Sequence, residues 1–78
     1  MNNNRHGKGK LFYKNGNIKY EGDFVNDKYE GYGKYICENG YYYIGQFLNN
    51  NRHGKGILFS KNGDIINDGY FYNDKFER

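Results

Sequence analysis

The sequence predicts an all-β protein: a single-layer, elongated antiparallel meander of stacked β-hairpins. Three observations predict it. The first is a repeat of 23 or 24 residues, marked by glycine. Gly7, Gly31 and Gly54 share one phase, and Gly9, Gly33 and Gly56 a second. Gly16, Gly40 and Gly63 share a third, and Gly22, Gly45 and Gly69 a fourth, so these positions absorb all twelve glycines. The second is an Asn-Gly pair in every unit (Asn15-Gly16, Asn39-Gly40, Asn62-Gly63), a strong short-range hairpin signal. The third is composition: ten Tyr and six Phe favour strands, and the absence of Ala removes the best helix former.

The first hairpin should run over Lys10–Lys14 and Ile18–Phe24. A two-residue type I′ turn at Asn15-Gly16 pairs Lys14 with Asn17, Tyr13 with Ile18, Leu11 with Tyr20 and Gly9 with Gly22. Strand alternation then puts Leu11, Tyr13, Ile18, Tyr20 and Phe24 on one face. It puts Lys10, Phe12, Lys14, Lys19, Glu21 and Asp23 on the other. Facing glycines leave a gap that large neighbouring side chains can enter. The middle hairpin is one residue shorter between Gly40 and Gly45. Keeping Tyr35 opposite Tyr43 requires a three-residue loop, Glu38-Asn39-Gly40, with Gly in the left-handed position. The third hairpin repeats the first: Asn2–Glu30 and Asn49–Glu77 are identical at 20 of 29 positions. Segments 25–30, 48–53 and 72–78 join the hairpins, giving six strands with edges near Lys8–Lys14 and Ile65–Tyr72. The whole of 1–78 reads as one array: a partial unit 5–19, units 20–42 and 43–66, and a partial unit 67–78.

The unit reads Tyr-x-Gly-x-Phe, a polar stretch, Gly-x-Gly, a strand, then Asn-Gly. Tyr20-Glu-Gly-Asp-Phe24 with Glu30-Gly-Tyr-Gly33 resembles the MORN (membrane occupation and recognition nexus) repeat. Tyr43-Ile-Gly-Gln-Phe47 with His53-Gly-Lys-Gly56 is similar. Asn67 stands where the pattern has Tyr, and Arg78 where the next Gly is due. The resemblance implies a one-layer sheet of hairpins that lean on their neighbours. It also implies a spacer or docking surface linking membranes, cytoskeletal structures or fused enzymatic domains.

Several chemistries lack their residues. His6, His53 and Cys37 fall in different units, so three or four metal ligands do not converge. The Gly-Lys-Gly segments carry neither phosphate-loop nor dinucleotide spacing. Ser60 has no His or carboxylate repeating around it, and Cys37 no cationic cluster. No enzyme activity and no cofactor are expected. A net charge of +3, with acids regularly interspersed, argues against nucleic acid. One cysteine and no apolar stretch of spanning length point to an intracellular, cytoplasmic chain, with membrane or cytoskeletal association open.

The expected function is a non-catalytic protein–protein interaction or scaffold module, through a protein partner or self-association of the sheet. Its interaction face is Leu11, Tyr20, Phe24, Tyr35, Tyr43, Phe47, Leu58 and Phe71, which also serve as core. The alternative is a peripheral membrane module. The twin Arg-His-Gly-Lys-Gly segments would then present Arg5, Lys8, Arg52 and Lys55 as a rim for acidic phospholipid headgroups.

Overall fold

The computed structural model describes residues 6–77. It is a single sheet of seven antiparallel strands in chain order. These are β1 (Gly7–Phe12), β2 (Ile18–Val25), β3 (Lys28–Ile36), β4 (Tyr42–Leu48), β5 (Asn51–Phe59), β6 (Ile65–Tyr72) and β7 (Lys75–Glu77). The molecule is a slab of 42 × 27 × 15 Å, one layer thick.

The hairpin register follows the glycines. Gly9 faces Gly22, Gly22 faces Gly33, Gly33 faces Gly45, Gly45 faces Gly56, and Gly56 faces Gly69. A glycine row thus crosses six strands, where only isolated facing pairs were expected. It is the trough into which the core tyrosines lie. A Cβ on Gly33 would fall on the Tyr20 ring and hydroxyl, and one on Gly56 on those of Tyr43.

The count of seven corrects the expected six. The joining segments are not extended connectors. They are two-residue turns at Asn26-Asp27, Asn49-Asn50 and Asn73-Asp74, with every φ between 47° and 75°. Two consecutive left-handed residues are the signature of a type I′ turn, which Asn and Asp tolerate better than most side chains. Strands therefore run straight into the next hairpin. The second sheet edge is β7, which pairs with Tyr70–Tyr72, rather than β6 alone.

The Asn-Gly loops are also corrected. All three span three residues. Tyr13 N–H donates to Asn17 O (2.8 Å) and Gly16 N–H to Tyr13 O (3.0 Å). The same pair of bonds closes Cys37–Tyr41 and Ser60–Asp64. Only the glycines (Gly16, Gly40, Gly63) enter the left-handed region, while Asn15 Oδ1 accepts from Asn17 N–H (2.9 Å). The expected loop Glu38-Asn39-Gly40 is present, and Tyr35 faces Tyr43. Leu11–Tyr20 and Gly9–Gly22 also pair as expected, but Lys14–Asn17 and Tyr13–Ile18 do not. The extra residue of the outer hairpins is taken up by a β-bulge instead, with Phe12 opposite Ile18 and Phe59 opposite Ile65. One inserted residue reverses the facing of its neighbours. Ile18 therefore joins Phe12 on the second face, and Lys19 comes to the first.

Candidate functional site

The first face carries a row of rings. Tyr20, Phe24, Tyr29, Tyr43, Phe47 and Phe71 are buried. Tyr20 stacks on Tyr29 with centroids 4.0 Å apart. Phe47 stands nearly perpendicular to Tyr20 at 5.2 Å and to Tyr43 at 5.1 Å, and Phe71 meets Tyr43 the same way at 4.8 Å. Edge-to-face contacts suit the ring quadrupole. They let one row act as core without a second layer.

Each core tyrosine also needs a partner for its hydroxyl. Tyr20 O–H donates to Asp23 O (2.7 Å), and Tyr43 O–H to Gln46 O (3.0 Å). Burial pushes both phenols above their ordinary value, because the anion would lose its hydration. Tyr13 O–H donates to Ile36 O at 2.5 Å, and burial raises its pKa too.

Side chains staple two further bulges, at Asp23 and Gln46, behind the glycine row. Asp23 accepts from Lys8 Nζ (2.8 Å) and Tyr32 N–H (3.2 Å), and the ammonium bond, then the amide, hold its carboxyl below the usual range. Gln46 Oε1 accepts from Lys55 N–H at the equivalent place (2.8 Å). The two-residue turns clamp neighbouring units as well. Asn50 N–H donates to Tyr29 O (3.2 Å), and its Oδ1 accepts from Tyr29 N–H (2.9 Å). Asp74 repeats this on Arg52: its N–H donates to Arg52 O (2.8 Å), and its Oδ1 accepts from Arg52 N–H (3.1 Å).

Beside the ring row lies an open groove of about 380 Å³. Its apolar wall is Leu11, Tyr35 and Leu58, all half-buried, with Tyr29, Tyr43 and Phe47 beneath. Asp27, Asn50 and Asp74, from the two-residue turns, line the groove, and so does Lys19, delivered by the bulge. Lys19 Nζ lies 5.7 Å from the centre of the Tyr13 ring.

The eight residues expected as an interaction face are brought together, but they divide. Tyr20, Phe24 and Phe71 are sealed in the core, whereas Leu11, Tyr35, Tyr43, Phe47 and Leu58 reach the groove. Of the expected basic rim, Arg5 lies outside the described residues. The other three do not converge. Lys8 and Lys55 stand on the second face, opposite Asp23 and Tyr70. Arg52 stands on the first, in Tyr29's place, with its guanidinium 5.2 Å from the Phe71 ring centre and 5.8 Å from that of Tyr43. Its Nε also bonds Asp74 Oδ1 at 2.9 Å.

Sequence reasoning missed Tyr29, Phe76 and the turn residues, and the place of Cys37 in the groove lining. A signal existed for two of them: Tyr29, Arg52 and Phe76 share one phase, five residues after Phe24, Phe47 and Phe71. Among the described residues, no three His, Cys, Asp or Glu side chains gather as a metal site.

The sequence model of the MORN repeat matches residues 1–18, 20–40 and 43–65 of this chain. No curated protein matches it.

Proposed function

Because the chain belongs to the MORN repeat family, we propose that it is a non-catalytic docking module that takes a protein segment along the aromatic groove. One observation carries this reading: Leu11, Tyr35 and Leu58 stay half-open beside a ring row that is already packed. The core does not need that wall closed, so it is available to a partner. The groove has the volume of an ordinary ligand cleft, with a few polar groups around an apolar floor. It suits an amphipathic segment that sets Leu- or Phe-type anchors on the floor and polar atoms against Asp27, Asn50 and Asp74.

The test is selection of peptides from a displayed library against the 78-residue chain. Binding should fall roughly tenfold or more in Leu58→Lys and Tyr35→Lys, because each buries an unpaired charge on the floor. Ile44→Lys, on the second face, should leave binding unchanged. Sedimentation with acidic phospholipid vesicles supplies the other arm. If no peptide depends on the groove, while vesicles are bound equally by the two groove variants, the module is a membrane one and the docking reading fails.

A further inference from the structure

The second face carries an ordered pattern of its own over β3–β6. Residues opposite each other across a ladder share a face, so the registers read as rows running across four strands. One row is Ile36, Tyr42, Phe59 and Ile65. The next is Lys34, Ile44, Ile57 and Asp68. The third sets Tyr32 beside Gln46 and Lys55 beside Tyr70, and the Lys55 N–H bond to Gln46 Oε1 joins its halves. Tyr32, Ile44, Ile65 and Tyr70 are between 45% and 64% exposed. Among the described residues, no second layer lies over them.

Each row reads alike from both ends. The first runs aliphatic, aromatic, aromatic, aliphatic. The second runs cation, Ile, Ile, anion, and the third Tyr, polar, polar, Tyr. The repeat itself does not generate this symmetry. With the glycines aligned, it carries Lys34 onto Ile57 and Ile44 onto Asp68. The mirror order therefore arises where the units depart from one another, and its centre is the line between β4 and β5.

We propose that two copies of this chain pack second face to second face, about a two-fold axis that runs along the strands between β4 and β5. That axis sets β3 of one copy over β6 of the other, and β4 over β5. Ile44 then meets Ile57 of the second copy, Tyr42 meets Phe59, and Ile36 meets Ile65. Lys34 meets Asp68 at both ends of the middle row. A two-fold interface requires one patch to complement itself. This patch does so because its two charges are opposite in sign and equally far from the axis. Equal charges at the two ends would repel in the same arrangement. Lys34 Nζ lies 4.9 Å from the centre of the Tyr42 ring, which keeps the ammonium over the patch. Two sheets stacked in this way interleave their side chains about 10 Å apart. Four strands make a small patch for a specific interface, so the pair is reversible. Both grooves face outward, so none of this depends on what the groove binds.

The test is sedimentation velocity of the 78-residue chain up to millimolar concentration, then of three variants. The wild-type average mass should rise towards that of a dimer. Ile44→Lys should weaken pairing roughly tenfold or more, since it sets a charge against Ile57 of the second copy. Lys34→Asp and Asp68→Lys should each weaken it similarly, because each places like charges at both ends of the middle row. Mixed one to one, those two should pair as well as the wild type, since both charge contacts are then complementary. Circular dichroism checks that each variant keeps its sheet. Lys34 also faces Glu21 across β2–β3, so Ile44→Lys decides the matter if Lys34→Asp unfolds. A wild type that is monomeric at every concentration would overturn the proposal. So would pairing that Ile44→Lys leaves intact, or a mixture of folded charge variants no better than its components.

Discussion

At the residue scale, Tyr and Gly act as one device. Tyr20 lies across Gly33 and Tyr43 across Gly56, so the absence of a side chain at each glycine is what buries the ring. Gly33→Ala or Gly56→Ala should therefore cost about 1–3 kcal/mol, since the added methyl must displace a buried ring. Lys14→Ala, on an exposed loop, should leave the melting temperature nearly unchanged. Equal melting of all three variants would contradict the packing. The tyrosines also set a pH limit. Their folded pKa values lie above the ordinary 10.0, so the unfolded chain releases protons first as pH rises. Their contribution is complete below about pH 10 and drains away above it, through the raised folded values. Stability measured from pH 8 upward should fall beyond that point. In Tyr20→Phe and Tyr43→Phe it should fall less steeply, although each gives up about 0.5–1.5 kcal/mol at neutral pH with its hydroxyl bond. Most of the ring row was legible, because its members recur with the glycines. The part played by Arg52 was not. Its spacing marks it as Tyr29's counterpart, but its charge suggested a solvent rim. Only the Asp74 turn folded against it makes a guanidinium a workable replacement for a ring in the aromatic row.

At the element scale, the strands were legible and the turns were not. Facing glycines fixed the register of every hairpin, whereas Asn-Gly permits both a two-residue and a three-residue loop. The three-residue form is used throughout, and the length difference sits in bulges at the outer hairpins. The true two-residue turns fall at Asn-Asp and Asn-Asn, which read as polar linkers until the strands on both sides are seen to continue. Deleting Lys19 should accordingly convert the first hairpin to the form of the middle one. The sheet should survive with a loss below about 1 kcal/mol. Deleting Glu21, inside the ladder, should reverse every side chain beyond it and abolish the cooperative melt. If the two deletions unfold the protein alike, the bulge is not where the slack lies.

At the scale of the whole molecule, a one-layer sheet holds together because rings meet across the strand between them, Tyr20 with Phe47 and Tyr43 with Phe71, and each unit clamps the next through Asn50 or Asp74. That economy leaves one grooved face unclosed and two sheet edges open among the described residues. The sequence showed the open face but not its division into sealed rings and an accessible wall. That division depends on a bulge carrying Lys19 to the first face and on turns folding back over the neighbouring strand. Under the proposed function, a partner docks on this wall. Amide chemical-shift mapping of the ¹⁵N-labelled chain, titrated with a selected peptide, tests it most directly. Shifts should concentrate on Leu11, Lys19, Tyr35, Cys37 and Leu58 and spare Ile44, Ile57 and Phe59. Shifts centred on those second-face residues, with the groove amides unmoved, would contradict it.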